Sequence, residues 1–572
     1  MSSVMNNETV VLLEKHFDTA FAAPDGIKKL RELILMLAMQ GKLVPQDPTD
    51  RPASELLKAI EAEKKQLVKE GKIKQSKPLP EIKPDEIPYD LPKSWEWVRL
   101  GNFGIWKSGT TPSRTNNDYY GGEIPWVKSG EVKQGKIRQV EETITHKALQ
   151  SCSLALNPIG SVLVAMYGAN IGEVGILEIE ATTNQAVCAC NTFSSIGNIF
   201  LLHLIVSLKQ NFITQGAGAA QPNISREKII NTVVPLPPIE EQHRIVAEID
   251  RLMARCDELE KLRTDRNQKR TTVHTAAIDR LLKAQDDRAF STAWSFITQH
   301  FSELYSVKEN VTELRKVILQ LAVMGKLVPQ DPNDEPASEL LKTIEREKQR
   351  LVKEGEIKLQ KPLPKISIEE IPYSLPNGWS WVRMGEILPD YQNGISKRNS
   401  IEGTDRIVIR LADIKCGEVS LDDYRSIRLT DGESKKYELT TNDILITRVN
   451  GSTDLIGNFT LIKSTDFLTY CDHFIRLRVS QDFIESVYLC EVAKSSLLRG
   501  QIISKFVTTA GQKTVNQSHI SSLFFPLPPL AEQRRIVEKI DRLMEFCDRL
   551  EASIEATKIK QTDLLNAVMS QV

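Results

Sequence analysis

The chain lacks the features that mark secreted, membrane and zinc-binding proteins. It has eight cysteines in 572 residues and no Cys-x-x-Cys pair, so neither a zinc site nor a disulfide framework is predicted. No apolar run approaches the roughly 20 residues that cross a bilayer. The early polar residues Asn6, Asn7 and Glu8 do not fit the basic and apolar pattern of a signal peptide. We therefore expect a cytoplasmic protein with reduced thiols and no membrane partner.

An excess of charge of one sign is also lacking. Lysine and arginine number 74, aspartate and glutamate number 75, and the formal net charge is −1. A basic excess would support a nucleic-acid partner directly, so any anion-binding surface has to come from local clusters. The length and the 41% hydrophobic content are enough for several domains with cores of their own.

The strings that carry catalytic chemistry are missing or incomplete. Every Gly-Lys pair is followed by Leu or Ile, whereas a phosphate-binding loop needs Ser or Thr there. The nearest match to the Asn-Pro-Pro-aromatic loop of amino-methyltransferases begins at Asn157 and lacks the second proline and the aromatic residue. Asp390, Asp413 and Lys415 resemble a nuclease magnesium site, but the first half of the chain has no counterpart of Asp390. We expect no catalytic residue, no metal ligand and no cofactor in this chain.

Three histidines stand without partners at metal-ligand spacing and are interpreted as structural or surface residues: His146, His203 and His473.

The sequence contains one structural unit twice. The strings GKLVPQDP and PASELLK, which begin at Gly41 and Pro52, recur 284 residues later. The string PLPPIEEQHRIVAEIDRLMARCDELE, which begins at Pro235, recurs as PLPPLAEQRRIVEKIDRLMEFCDRLE from Pro526, at an offset of 291. Self-similarity at a fixed period indicates a duplicated structure.

Two divergent stretches, Arg99–Val234 and Arg383–Phe525, lie between the matched blocks. Their outline is still shared, since VLVAMYGANIGEVG at Val162 parallels ILITRVNGSTDLIG at Ile444. We expect each stretch to be a globular domain of common ancestry and divergent surface. The predicted domains are an N-terminal helical region with a proline-rich linker, a first globular domain, a central matched region, a second globular domain and a C-terminal helix: 1–92, 93–234, 235–376, 377–525 and 526–572.

Hydrophobic spacing predicts the elements of each unit. Ile27–Gln40 and Pro52–Glu70 are predicted helices, and Lys77–Pro92 is proline-rich and extended. Four segments of the divergent stretches have strand character: Ser161–Ala165, Glu173–Ile179, Asp443–Arg448 and Phe474–Val479. Two others have helical character: Ile199–Gln210 and Glu485–Leu498. The predicted fold class is therefore α+β.

After each PLPP string the apolar residues follow the alternating four-and-three spacing of a coiled-coil seam. The seam residues are Ile245, Ile249, Leu252, Cys256 and Leu259 in the first copy, and Ile536, Ile540, Leu543, Cys547 and Leu550 in the second. We predict two helices of about 40 residues, on the order of 60 Å long, that pair as an antiparallel coiled coil with a pseudo-two-fold axis. The alternative is that each helix packs only on its own domain.

The PLPP motif and the LVPQDP, PASELLK and KPLP strings resemble the specificity subunit of type I restriction-modification systems, in the form with an extended conserved N-terminal region. The resemblance covers essentially the whole chain. It implies two target recognition domains, each of which reads half of an asymmetric bipartite DNA site, and paired helices that set the spacing and dock the methyltransferase subunits. It also implies double-stranded DNA, two methyltransferase subunits and two restriction subunits as partners. S-adenosylmethionine, ATP and magnesium would belong to those partners, and this chain would not catalyse.

Candidate DNA-reading residues are those polar side chains of the divergent stretches that suit base edges or phosphates. Arginine and lysine suit guanine, and asparagine and glutamine suit adenine. In the first stretch the candidates are Lys107, Arg114, Asn116, Asn117, Tyr119, Lys128, Asn170, Gln221, Asn223 and Arg226. In the second they are Asn393, Lys397, Arg398, Arg410, Arg448, Asn450, Lys505, Gln512, Lys513 and Asn516. For each residue, the alternative is a solvated loop or a satisfied turn.

The rival class is a coiled-coil scaffold protein with two protein- or ligand-binding domains. Salt-sensitive DNA binding would separate the two classes. A DNA-binding protein releases counterions when it contacts phosphates, so its affinity for DNA falls as the salt concentration rises.

Overall fold

A computed structural model describes residues 17–570, apart from 76, 134, 218–221, 359–360, 398–401, 416, 464–467 and 510. The chain divides into two compact units. Unit 1 comprises Met1–Arg266 and Thr557–Val572, and unit 2 comprises Asn267–Ala556. Each unit therefore contains one matched helical block and one divergent domain.

The helices of unit 1 are α1 Gly26–Met39, α2 Ala53–Lys69, α3 His146–Ser151, α4 Asn198–Gly216 and α5 Arg226–Asn231. The long helix α6, Ile239–Leu282, contributes residues 239–266 to unit 1 and the rest to unit 2. Unit 2 adds α7 Asp287–Gln299, α8 Phe301–Leu304, α9 Lys308–Val323, α10 Ala337–Lys353, α11 Asp431–Tyr437, α12 Ser486–Lys494, α13 Ser496–Lys505 and α14 Gln517–Ser521. The last helix, α15 Leu530–Ser570, contributes its residues from 557 onward to unit 1.

The strands of unit 1 are β1 Glu96–Arg99, β2 Gly104–Ser108, β3 Tyr120–Val127, β4 Gly135–Ile137, β5 Thr143–Ile144, β6 Val162–Ala165, β7 Val174–Leu177, β8 Thr182–Thr183, β9 Val187–Thr192 and β10 Val233–Leu236. Those of unit 2 are β11 Ser380–Arg383, β12 Asp390–Asn393, β13 Thr404–Ile409, β14 Ile414–Lys415, β15 Glu418–Val419, β16 Arg425–Leu429, β17 Ile444–Thr447, β18 Val449–Asn450, β19 Phe459–Leu461, β20 Leu468–Tyr470, β21 Phe474–Arg478, β22 Val507–Thr509, β23 Gln512–Thr514 and β24 Phe524–Leu527. The predicted α+β class is confirmed.

An antiparallel two-stranded ribbon closes each divergent domain. In unit 1, β1 pairs with β10 so that Glu96 lies opposite Leu236. In unit 2, β11 pairs with β24 so that Ser380 lies opposite Leu527. The matched sequence thus holds both ends of each divergent domain together, and the residues between the two strands are free to differ.

The main sheets inside the two ribbons differ in detail. Unit 1 has a five-stranded sheet in the order β2-β9-β6-β7-β4 and a smaller sheet β5-β3-β8. Unit 2 has a four-stranded sheet β12-β21-β17-β19, the sheets β16-β13-β20 and β18-β23-β22, and a β14-β15 pair. The predicted strands are present, and the predicted helical character over Glu485–Leu498 is confirmed, although it is divided between two helices. The helix breaks at Ser495, whose hydroxyl accepts the backbone N–H of Leu498 and caps α13.

A buried arginine anchors the proline-rich linker in each unit. The Arg99 guanidinium lies 2.7 Å from Glu86 and donates to the carbonyls of Pro80 and Asn231. In unit 2, Arg383 makes the corresponding contacts with Glu370, Pro364 and Ser522. We call residues 77–92 and 361–376 the straps, because these bonds tie them across the start and end of each domain.

The two long helices contain 44 and 41 residues, in agreement with the predicted length. In unit 1, Ile245, Ile249 and Cys256 are buried in a core shared with α1 and α4, Leu252 is half-buried, and Leu259 is 47% exposed. In unit 2, the five seam residues are buried or half-buried in that unit's core: Ile536, Ile540, Leu543, Cys547 and Leu550. Packing on the helix's own unit accounts for this burial, and pairing of the two helices stays a prediction. Within the part of the chain that the structure describes, no helix is both long and apolar enough to cross a membrane.

Candidate nucleic-acid interface

In unit 2, the last part of the divergent domain brings most of its candidate residues together. The small sheet β18-β23-β22 places Asn450 opposite Lys513, and the Lys513 ammonium donates to the carbonyl of Gly451 at 2.6 Å. Backbone bonds tie Arg448 to Val515 and to His473. The hairpin of β22 and β23 turns at Gly511, whose φ of +79° favours glycine, and Gln512 is exposed beside it.

Three further candidates border this hairpin. Lys505 ends α13, and β22 begins two residues later at Val507. The Asn516 side chain accepts the backbone N–H of His519 and caps α14. Asn393, at the end of β12, accepts the side-chain amide of Gln517 at 3.1 Å. One surface, which we call the hairpin surface, therefore gathers seven candidates: Asn393, Arg448, Asn450, Lys505, Gln512, Lys513 and Asn516.

The related place in unit 1 gathers a smaller set. A bridge joins Tyr167 to Asn223, and the Gly168 amide donates to the carbonyl of Pro222 at 2.9 Å. The Arg226 guanidinium lies 3.5 Å from the backbone oxygen of Trp106, the neighbour of Lys107. Exposed Lys107, Asn223 and Arg226 and half-buried Asn170 therefore lie around one end of the five-stranded sheet.

The candidates in the loop between β2 and β3 are largely engaged within the protein. The Arg114 guanidinium stacks on Tyr120, 4.4 Å from the ring centroid, and forms an ion pair with Glu142. This hydrogen bond lowers the pKa of Glu142. Asn116 caps the following turn by accepting the amide of Asp118, whereas Asn117 is exposed and Tyr119 is half-buried.

Lys128 and Arg410 occupy equivalent positions, each before a short turn whose acidic residue reaches back. The amide of Lys128 donates to Glu131 at 2.7 Å, and that of Arg410 donates to Asp413 at 2.7 Å. Their side chains are also paired: the Lys128 ammonium lies 3.2 Å from Glu141, and the Arg410 guanidinium contacts Asp413 at 2.7 Å. Lys397 is similarly paired with Glu433 at 3.2 Å. Contact of these cations with phosphate would compete with the bound carboxylates.

Two candidates lie outside the described residues, and the members of the nuclease-like string each pair with another side chain. Gln221 and Arg398 lie outside the described residues. Asp390 pairs with Arg476 at 2.6 Å, and Lys415 pairs with Asp422 at 2.9 Å. Together with the hydrogen bond that Arg410 donates to Asp413, these contacts give each member of the string a partner of its own.

One group of side chains with metal-ligand chemistry was missed. The sequence was interpreted as leaving His473 without partners, but its Nδ1 lies 3.6 Å from the Cys471 sulfur and 3.4 Å from Asp472. The ligand atoms of these three half-buried residues all lie within 4.8 Å of one another. Burial raises the pKa of Cys471, which opposes the thiolate that a metal needs. The signal was the run of three ligand-type residues in the sequence.

Comparison with known proteins identifies the family of the chain. The family model described as the type I restriction modification DNA specificity domain matches residues 92–267 and 376–561. The chain is 34% identical to the EcoEI type I restriction enzyme specificity subunit of Escherichia coli over 95% of this chain and 93% of the relative. It is 36% identical to the EcoAI specificity subunit of Escherichia coli with the same two coverages. A crystal structure of the HsdS subunit from Thermoanaerobacter tengcongensis aligns at a TM-score of 0.44 and 20% identity, over 85% of this chain and 98% of that one.

The chain has two unlike α+β domains, and a ribbon and a strap of repeated sequence enclose each of them. The same family model matches both, which defines a DNA sequence-recognition protein with two reading domains. More particularly, the chain belongs to the type I restriction-modification DNA specificity family.

Proposed function

We propose that this chain is a non-catalytic specificity subunit that reads one asymmetric, interrupted DNA sequence, with one half-site assigned to each divergent domain. The observation that carries the proposal is the contrast between the repeated segments that enclose each divergent domain and the divergent domains themselves. The ribbons and straps are repeated closely, while the surfaces they enclose differ in sequence and in sheet order. Identical surfaces would read a palindrome, so divergent surfaces favour two unlike half-sites.

The proposed reading surfaces are chemically suited to DNA. The hairpin surface of unit 2 combines cations, which position a protein on phosphates, with amides, which suit adenine edges. The corresponding surface of unit 1 combines Lys107 and Arg226 with Asn170 and Asn223. We assign base reading to these two surfaces in preference to Lys128, Lys397 and Arg410, because carboxylates already hold those three cations.

The long helices are proposed to set the number of unread base pairs by pairing with each other. Equivalent surfaces of B-DNA recur about every 34–36 Å along the helix. A helix of 44 residues spans roughly 66 Å at 1.5 Å per residue, which is enough to separate two domains by one to two turns of DNA.

Methylation and cleavage are assigned to partner subunits. Two methyltransferase subunits would supply S-adenosylmethionine, and two restriction subunits would supply ATP and magnesium. Relatives of similar length are named specificity subunits of restriction enzymes, which supports a role in directing such partners.

Methylation mapping tests the proposal. The chain is co-expressed with its methyltransferase partner in a strain without other methylases, and modified bases are located by long-read sequencing. We expect a single interrupted motif with two different half-sites. A palindromic motif, or no modification by a complex that assembles normally, would contradict the proposal.

A further inference from the structure

An open groove of about 670 Å³ lies between α2 and the strap in unit 1. Its apolar lining comes from Leu57, Val68, Ile73, Leu79, Ile82 and Trp97. We infer that this strap groove and its sequence counterpart in unit 2 dock one and the same partner subunit. The inference rests on the proposed function and deepens it by naming where the methyltransferase subunits bind.

The lining of the strap groove is duplicated. Thirteen of its 17 lining residues are identical 284 positions later; the four that differ are Lys65, Gln75, Glu81 and Asn102. The strap is also held in the same way in both units, because Arg99 donates to the Pro80 carbonyl at 3.2 Å and Arg383 to the Pro364 carbonyl at 2.7 Å. The two elements that line the groove, α2 and the strap of unit 1, thus have counterparts in unit 2, namely α10 and the strap 361–376.

The identity extends to side chains that are not buried in the core. Residues three and four apart on a helix share a face, and the groove face of α2 carries four such residues: Leu57, Glu61, Lys64 and Val68. All four recur in α10 although none is fully buried in unit 1. On the opposite face, Ala59, Ala62 and Gln66 are replaced by Thr343, Arg346 and Arg350. Of the α2 side chains that line the groove, only Lys65 differs in α10, whereas three of the side chains that point away have changed.

A larger groove in unit 1 shows the contrast. It has a volume of about 1650 Å³ and lies beside α1 and α4. At the positions equivalent to Lys28, Glu32 and Met36, which line it, unit 2 has Thr, Lys and Gln. A partner present in two identical copies needs the same surface twice. Of the two grooves, the strap groove has the lining that is repeated in unit 2.

The chemistry of the strap groove defines the segment that would occupy it. The floor is apolar, and the rim in unit 1 carries Lys64, Lys65 and Lys74 against Glu61 and Glu81. In unit 2 the rim residues at these positions are Lys348, Gln349, Lys358, Glu345 and Lys365. Cations exceed acids in both units, so the groove fits an apolar segment of the methyltransferase subunit that is flanked by acidic residues.

The test measures how many methyltransferase subunits the full chain binds. The complex is purified and its composition is determined by native mass spectrometry. We expect two methyltransferase subunits on the wild-type chain, one on Val68→Glu or Val352→Glu, and none on the double variant. A gentler variant, Lys64→Glu with Lys74→Glu, changes only the rim and is expected to weaken binding at unit 1 by at least tenfold. The control Ala62→Arg, which introduces the residue of unit 2 on the opposite face, should leave two subunits bound.

Two copies retained on the double variant, or unweakened binding by the rim variant, would overturn the groove assignment. The rim variant decides the matter if Val68→Glu lowers the melting temperature. The two proposals fail differently. A wild-type chain that binds no methyltransferase overturns the proposed function, whereas double variants that still methylate an interrupted site overturn the groove alone.

Discussion

The indole N–H of Trp95 donates to the carboxylate of Glu241 over 2.9 Å inside the unit 1 core. Glu241 has no exposed surface and also accepts the Gln46 amide, and burial raises its pKa. The same relationship joins Trp379 to Glu532 over 2.9 Å in unit 2. This pair therefore fastens the start of each divergent domain to the first turn of the long helix that follows it.

Glu241→Ala should destabilise unit 1 and leave unit 2 unchanged. The substitution leaves the buried Trp95 N–H without an acceptor, which costs about 1–3 kcal/mol, and it also removes packed atoms. Hydrogen exchange read by mass spectrometry should show faster exchange in 96–99 and 233–236. The exposed Glu258→Ala should show no such change. Equal loosening of both units would contradict the local role.

The strap of unit 1 should loosen in acid. The Arg99 guanidinium, and then the backbone amide of Lys83, lower the pKa of Glu86 from 4.5 to about 2. Because the folded pKa lies below the unfolded one, this stabilisation is present above pH 4.5 and is lost as the pH falls toward 2. Exchange in 77–92, corrected for intrinsic rates, should rise across that window. Glu86→Gln should exchange faster already at pH 6 and depend less on pH, while Asp85→Asn should behave as the wild type.

Lys513→Ala should weaken DNA binding by the assembled complex without changing its sequence preference. A lysine that positions the protein on phosphate contributes counterion release, so the slope of log affinity against log salt should decrease by about 1. Titrations at several salt concentrations measure this. Lys397→Ala, whose ammonium is already held by Glu433, serves as the matched control with a smaller effect. A loss confined to one DNA sequence would assign base reading to Lys513.

Gln512→Ala should relax recognition in one half-site only. An amide that reads a base contributes about 1–3 kcal/mol of discrimination against the wrong base. Methylation mapping should then show degeneracy at one position of the half-site read by unit 2, with the other half-site and the gap unchanged. A change in the other half-site would contradict the assignment of one half to each domain.

Leu565→Ala should destabilise unit 1, although it lies near the end of the chain. Leu565 is 2% exposed and packs with Val568 against Leu33 and Leu37 of α1. Loss of a buried leucine side chain costs about 2–5 kcal/mol. Faster exchange in α1 would confirm the packing, with the exposed Lys560→Ala as control. Unchanged exchange in α1 would count against it.

The helices of the repeated segments were predictable from sequence because local residue patterns determine their extent and those patterns occur twice. The predicted helix over Ile27–Gln40 differs from α1 by one residue at each end, since helical spacing and Gly41, with φ of +67°, mark its extent. The long helices followed from their seam spacing. The break at Ser495 carried a signal as well, because serine is a preferred N-cap residue, but the apolar residues on both sides obscured it.

The candidate DNA-reading residues were less predictable, because a polar loop residue can either bond within the protein or remain accessible to DNA. Asp413 follows Arg410 by three residues, so that pairing was within reach of a capping argument. Glu142 lies 28 residues from Arg114, and only the tertiary fold brings the two together. Likewise, the hairpin surface joins Asn393 to Gln517 across 124 residues, which no local pattern encodes.

The composition of unit 1 has a consequence for how the protein is made. Unit 2 is one continuous stretch, but the core of unit 1 includes Leu565 and Val568 from the end of the chain. At roughly 5–20 residues per second, α1 leaves the ribosome on the order of half a minute to two minutes before these residues do. During that time the apolar face of Leu33 and Leu37 has no final cover. The unit that begins synthesis first is therefore the last to be completed, and a nascent chain stalled before residue 557 carries a finished unit 2 beside an open unit 1.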